Sequence, residues 1–370
     1  MEKMTTAPLY IINTTDVSHA NDSLYDDNEY AVLYKIYQSG RIISLIVYCL
    51  AFVLGVLGNG VVIWVTGFKM KKTVTTVWFL NLAVADFLFT AFLPLIVTFI
   101  FWNLHWPFGK FMCKLHYVII FLNMFASVYI LMVISVDRCV SVVLPVWARN
   151  HRSVRKASCV SLGVWVLALI LSTPYFIFRD TELKPSKDVI ICSNNFALSG
   201  NETSSVIQLR EEAITITRFL LGFVVPFTVI VSCYAVIIHR IRRNRTLASQ
   251  SSRPFKIIAA VITTFFLCWA PYHIMKLILM VNSRSTYPSE TLHLVTTIGY
   301  PLASSLAFLN SGLNPLLYVF MGQDFKDRVH KSILKVLENA FQDEVSHSHT
   351  NKTSTVISRS KDKLVGDTVV

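Results

Sequence analysis

Seven long apolar runs dominate this chain. They lie near residues 42–66, 76–101, 111–144, 158–178, 214–239, 255–280 and 292–320. Each reaches or exceeds the roughly 20 residues that a helix needs to cross a bilayer at about 1.5 Å per residue. A spanning strand would need only about 10 residues and would alternate in polarity. The runs therefore predict an all-α membrane protein, a seven-transmembrane helix bundle. Composition agrees. Hydrophobic residues make up 54% and charged residues 15% of the 370 positions. Soluble domains carry about 45–50% apolar and about 25% charged residues. Such hydrophobicity also excludes disorder for the bulk of the chain.

The short loops set the orientation. Lys69, Lys71 and Lys72 follow the first run. Arg149, Arg152, Arg155 and Lys156 follow the third. Arg240, Arg242, Arg243, Arg245, Arg253 and Lys256 follow the fifth. The alternate loops are mixed in sign. Basic loops stay cytoplasmic, so the N-terminus is outside and the C-terminus inside, as expected of a multi-pass protein of the plasma membrane. The net charge of +12 is then a matter of topology and effector docking, and no nucleic-acid partner is expected. No basic segment followed by an apolar core opens the chain, so no cleavable signal peptide is expected. No two of the seven cysteines form a CxxC pair.

This divides the chain into an extracellular segment (1–40), the bundle (41–321), a membrane-surface helix (322–338) and a disordered cytoplasmic tail (339–370). Phe325, Val329 and Ile333 recur every four residues among Lys326, Arg328, Lys331 and Lys335. That pattern predicts an amphipathic helix on the anionic inner leaflet, with membrane lipid as its partner. Sequons at Asn13, Asn21 and Asn201 fall outside and are expected to carry glycans. Those at Asn244 and Asn351 fall inside. The tail is rich in phosphoacceptors: Ser346, Ser348, Thr350, Thr353, Ser354, Thr355, Ser358 and Ser360.

Polar groups inside the runs are costly, and each is a functional hypothesis. Asp86 lies near the middle of the second. Asn59 lies on the first, Asn123 and Ser127 share a face of the third, and Asn310, Ser311 and Asn314 cluster on the seventh. One carboxylate with Asn123, Ser127 and Asn310 suits a sodium ion. Interhelical hydrogen bonding without an ion is the alternative. No other cofactor is expected. Pro226, Pro271 and Pro315 interrupt three runs, and each permits a kink.

Five motifs follow in order: Gly58-Asn59, Leu82-Ala83-Val84-Ala85-Asp86, Asp137-Arg138-Cys139, Phe265-Phe266-Leu267-Cys268-Trp269-Ala270-Pro271-Tyr272 and Asn314-Pro315-Leu316-Leu317-Tyr318. Together, on the right runs with the right sidedness, they resemble the rhodopsin-like (class A) G-protein-coupled receptors over about residues 40–335. The one departure is Cys139, where tyrosine is commoner. The resemblance implies that Asp137 holds Arg138 in the resting state, and that Arg138 reaches toward a heterotrimeric G protein on activation. It implies that Trp269 senses ligand, that Asn314, Pro315 and Tyr318 rearrange, and that Cys113 bonds Cys192. It also implies arrestin and receptor kinases as partners of the tail.

A narrower set is similar to the leukocyte chemoattractant receptors, which include formyl-peptide, chemerin and anaphylatoxin receptors. It comprises Trp106-Pro107-Phe108-Gly109, Pro145, Trp147 to Val154, and Phe320-Met321-Gly322-Gln323-Asp324-Phe325. Lys69 to Val74 and Phe178-Arg179-Asp180-Thr181 look most like the chemerin-receptor branch. Formyl-peptide receptors carry an acid where this chain has Phe121 and a base where it has Ile214. The group implies coupling to inhibitory-class G proteins and leukocyte chemotaxis.

The ligand's chemistry is read from the outer half of the bundle. Between Cys113 and Asp137 there is no Asp or Glu, so a monoamine has no counter-ion. The seventh run has no Lys, so retinal has no amine to join. Arg218 and Lys276 are basic groups at pocket depth, which predicts a peptide or protein ligand with an anionic group, or an anionic lipid mediator. Pairing of Arg218 with Glu211 or Glu212 is the alternative. Tyr117, Phe121, Tyr272, His273 and Tyr300 complete the predicted ligand-binding set. Tyr25 and Tyr30 lie beside Asp26, Asp27 and Glu29, as candidate sulfation sites that suit a basic protein ligand. An enzyme is not expected, since no catalytic motif stands at a credible place. A transporter would show repeats, and none is visible. A non-signalling decoy receptor is the remaining alternative.

Overall fold

The computed structural model describes residues 26–184, 188–198, 202–243, 252–285, 287 and 289–321. All lie within one compact unit, Met1–Gly322. Among the described residues, seven helices are long and apolar enough to cross a membrane: Tyr34–Lys69, Val74–Phe101, Gly109–Val143, Val154–Ile177, Ser204–Arg243, Ile258–Arg284 and Glu290–Leu317. We number them as spans one to seven. Lipid offers no hydrogen-bond partners, so the backbone must satisfy itself within each span. Leu57, Leu162 and Leu267, each 66% exposed, mark the outward apolar surface expected of such a bundle.

Two helices begin well before their apolar runs. The first starts at Asp26, so the last part of the predicted extracellular segment is helical. The helix of span five starts at Ser204, through Gln208, Arg210, Glu211 and Glu212. Hydropathy marks where lipid begins, not where a helix begins. The membrane-surface helix, the tail phosphoacceptors, the glycosylation sequons, Asn244 and Tyr25 lie outside the described residues. So do the side chains of Tyr30 and Tyr318.

Span two, expected as one continuous run, is broken. One helix ends at Ala91 and the next runs Leu93–Phe101 with Pro94 in its first turn. Proline there cannot donate back to the preceding turn.

Span five contains a wide turn. The α-helix Ser204–Phe219 gives way to a π segment, Leu220–Val224, and resumes at Val225–Arg243. Val225 N donates to Leu220 O, five residues back. The next carbonyl in that pattern belongs to Leu221, and its donor would be Pro226, which has no N–H. Tyr129 of span three supplies the missing donor, Oη to Leu221 O at 3.1 Å. Gly222 in the same segment packs on Met124. An added Cβ would stand 2.8 Å from Met124 Cε, so a larger residue here would have to push the end of the Met124 side chain aside.

Span three is the central helix, with Met124, Phe125, Ile130, Leu131 and Ile134 all at most 1% exposed. Spans one and seven also approach closely: a Cβ on Gly58 would lie 2.7 Å from Pro315 Cβ. Between spans four and five a hairpin pairs β1 (Arg179–Lys184) with β2 (Val189–Asn194), Thr181 opposite Cys192. Cys192 is disulfide-bonded to Cys113 at the top of span three. Trp106 secures the same corner. Its indole donates to Gly109 O at 2.9 Å and its amide to Ile190 O at 2.8 Å. Lys110 and Asp180 form an ion pair at 2.9 Å. Burial opposes charge on Asp180, but the Lys110 ammonium and the Thr181 amide hold its carboxyl below the ordinary range.

Candidate functional site

A cavity of about 1330 Å³, open mouth included, lies in the outer half of the bundle. Trp269, Tyr272 and Phe308 line it together with Tyr117, Phe121, Tyr300, Arg218 and Lys276. Of the predicted ligand-binding residues, His273 alone does not line it. His273 is 2% exposed, against the rings of Phe219 and Phe223 of span five and Trp269. It follows Tyr272 directly in the chain. One residue on a helix is a turn of about 100°, which takes it to the neighbouring span.

Arg218 is 7% exposed. Its Nε donates to Tyr175 Oη at 2.9 Å and its Nη1 to Tyr272 Oη at 2.6 Å. The guanidinium lies 4.7 Å from the Phe121 ring centre, and Phe121 stacks on Tyr175 at 3.5 Å. It does not pair with Glu212, which hydrogen-bonds Gln208 and Arg284 instead. Phenols and ring faces are weaker company for a buried cation than a carboxylate. Arg218 is therefore held in place but not neutralised.

Two cations beyond those expected there, Arg179 and Arg41, also line the cavity. Arg179, on β1, is 7% exposed and lies 3.3 Å from the Tyr117 ring centre. Its Nη1 donates to Cys192 O at 3.4 Å, and its Nε is buried without a hydrogen-bond partner among the described residues. Burial pushes the guanidinium below its ordinary range, against the favourable pull of Tyr117. Arg41 of span one donates to Ile100 O at 2.6 Å. Lys276 Nζ lies 4.7 Å from the Tyr300 ring centre. Arg41, Arg179, Arg218 and Lys276 thus share one cavity, and no Asp or Glu is among the described residues that line it.

Beneath the pocket lies a polar network. Asp86, 0% exposed, accepts from Asn314 Nδ2 at 2.7 Å. With its amide turned so that every contact joins a donor to an acceptor, Asn123 donates to Asp86 Oδ1 at 3.2 Å and accepts from Ser311 Oγ at 2.9 Å. Asn59 Nδ2 donates to Ser311 O at 2.9 Å. Asn123 thus offers the carboxylate nitrogen rather than the oxygen expected of an ion ligand. Asn314, one of the polar residues of the seventh run expected around Asp86, takes the second oxygen. The side-chain oxygens of Asn310 and Asn314 are buried with no hydrogen bond among the described residues. Oxygen donors of this kind suit a small hard cation, and those joined to Asp86 through hydrogen bonds belong to Asn314, Asn123, Ser127 and Ser311.

At the inner end the expected Asp137–Arg138 pair is absent. Arg152 Nε and Nη2 each donate to the Asp137 carboxylate at 2.9 Å. Arg138 Nη2 donates to Thr75 Oγ1 at 2.6 Å. Trp269 is buried at 3%, against Phe265 and Tyr272.

The model of the "7 transmembrane receptor (rhodopsin family)" matches residues 58–318. Chemerin-like receptor 1 of Sus scrofa is 48% identical over 317 residues, 83% of this chain and 84% of the relative. The C3a anaphylatoxin chemotactic receptor of Oncorhynchus mykiss is 42% identical over 336 residues, 90% and 89% of the two chains. Formyl peptide receptor 2 of Mus musculus is 42% identical over 316 residues, 85% and 89%. With its seven spans, its basic inner loops and its motifs in place, the chain belongs to the rhodopsin family of seven-transmembrane receptors, multi-pass proteins of the plasma membrane and not enzymes.

Proposed function

We propose that this receptor detects an extracellular chemoattractant, a peptide or protein such as chemerin, and signals through inhibitory-class G proteins to drive leukocyte chemotaxis. The cavity that gathers Arg41, Arg179, Arg218 and Lys276 without a lining carboxylate carries the reading. A peptide's C-terminal carboxylate supplies the missing charge, and a guanidinium binds it by two parallel hydrogen bonds. The similarity to chemerin-like receptors supports chemerin first. Formyl peptides, anaphylatoxins and anionic lipid mediators also present an anion, and they form the second reading. A sodium ion beside Asp86, and arrestin and receptor kinases at the tail, belong to the same proposal.

The test is a panel of chemerin C-terminal peptide, formyl peptides, anaphylatoxins and lipid mediators, read as suppression of cAMP. One anionic agonist that lowers cAMP in a pertussis-toxin-sensitive way supports the reading. High-affinity binding without any cAMP or arrestin response would make the protein a decoy.

A further inference from the structure

Spans three and five each carry a free cysteine in the inner half, Cys139 and Cys233, both half-buried. The two thiols are hydrogen-bond partners across the seam between the spans. One residue along from each, the Arg138 guanidinium lies within electrostatic reach of the Tyr234 phenol. The spans therefore meet at two neighbouring positions at this depth. Packed helices have axes about 8–10 Å apart and carry their Cα atoms about 2.3 Å off axis. Facing Cα atoms then come within roughly 4.4–6.8 Å, the Cα separation of a disulfide. The remaining free thiols are placed differently: Cys268 is buried, and Cys49 and Cys159 are exposed.

The basic loops put this end on the cytoplasmic side, where thiols are ordinarily kept reduced. A disulfide there is transient and forms when an oxidant outruns the reducing pool. Hydrogen peroxide is such an oxidant. One thiolate attacks a peroxide oxygen, the O–O bond breaks, and the sulfur becomes a sulfenic acid as the first water leaves. The second thiol attacks that sulfur, the S–S bond forms, the S–O bond breaks, and a second water takes the oxygen and the remaining proton. The two sulfurs together lose two electrons, and the peroxide gains them. A partner thiol already in contact makes the second attack intramolecular.

We propose that Cys139 and Cys233 form a reversible disulfide under hydrogen peroxide, and that this bond restrains the inner end of the receptor. The link joins spans three and five one residue from Arg138, so the spans can no longer part there. Its effect on signalling rests on the G-protein coupling proposed above. The bond itself forms without agonist or G protein.

The experiment treats the full-length receptor in nanodiscs with hydrogen peroxide, blocks the remaining thiols with N-ethylmaleimide and maps linked peptides by mass spectrometry without reduction. We expect one new linkage, Cys139 to Cys233, reversed by glutathione. In a parallel sample catalase removes the peroxide before G protein, agonist and GTPγS are added. Agonist-stimulated exchange should fall by the cross-linked fraction and recover with glutathione. Cys233→Ser and Cys233→Ala should each keep their exchange rate through the same treatment, with melting temperature as the check on folding. Sulfinic or sulfonic acids on separate cysteines without a linked peptide would overturn the proposal. So would a link between two receptor copies, unchanged exchange in cross-linked receptor, or an equal loss of exchange in the Cys233 variants. A receptor with no exchange before peroxide would sink the coupling reading, and the linkage map would then decide this one alone.

Discussion

The Asp137 carboxylate takes two hydrogen bonds from Arg152, each 2.9 Å long, and none from Arg138 beside it in the chain. Successive residues on a helix point about 100° apart, so neighbours seldom pair well. Arg152 closes the short inner-loop helix and can reach back. Its Nη2 also donates to Thr75 Oγ1 at 3.3 Å, so Arg138 and Arg152 share that hydroxyl. Arg138 is thus bonded to Thr75, while Arg152 occupies the Asp137 carboxylate.

Arg152→Ala is expected to raise basal nucleotide exchange, because it unties the inner loop from span three. The pair is part-exposed, at 31% and 14% for the two side chains, so about 1 kcal/mol or less is at stake. That corresponds to about fivefold at most. Thr75→Val should act in the same direction, and the double variant should show less than the sum, since both contacts converge on one hydroxyl. GTPγS binding to agonist-free membranes measures this. An unchanged rate in both variants would mean that these contacts do not restrain the inner end.

Arg138→Ala is expected to keep agonist affinity and lose G-protein activation. The residue sits at the inner end, a span's length from the outer cavity. Normal exchange at matched surface expression would remove Arg138 from the coupling role.

Asp86→Asn is expected to abolish any sodium dependence of agonist affinity. Asn314 and Asn123 both donate to the carboxylate, and an ion would have to turn Asn123 so that its oxygen faces inward. Wild-type affinity that ignores sodium at constant ionic strength would leave the network as hydrogen bonding alone.

Arg218→Ala should weaken a carboxylate agonist roughly thirtyfold or more. Truncating one member of a desolvated charge pair removes about 2–5 kcal/mol, and about 1.4 kcal/mol is one decade. Amidating the agonist's C-terminus should weaken wild type similarly and add little in the variant. Lys at this position should rescue only in part, because a point charge replaces a fork that also holds Tyr175 and Tyr272. Full additivity in radioligand competition would assign the carboxylate to Arg179 or Lys276.

The seven spans were legible because lipid permits few spanning structures and each requires a long apolar run. Arg218 and Lys276 were legible for a related reason: a charge inside such a run needs a purpose. Arg179 was not. In the sequence it sits among Asp180, Glu182 and Lys184 and reads as a solvated loop charge. Its burial follows from the hairpin register, which sets Arg179 opposite Asn194 and Thr181 opposite Cys192, and from the bond to Cys113 that pulls the hairpin over the cavity. Neither register nor tethering has a hydropathy signature. Pro94 is a break signal in span two, masked because the apolar run continues through it. The Asp137–Arg152 pair depends on where a loop turns, which no local pattern states.

The wide turn at Leu220–Val224 carries a consequence for recognition. A helix advances about 100° per residue, so one residue more or fewer in that turn rotates everything above it by that angle. Arg218 stands just above, and its heading toward the cavity rather than the lipid is an angular phase set one turn below. Deleting a single residue such as Leu221 would swing the guanidinium away from Tyr175 and Tyr272 while every pocket side chain kept its identity. The ligand chemistry of this receptor therefore depends on a residue count as well as on residue types, and relatives with identical pocket residues but a regular helix here would present a different charge pattern to the same molecule.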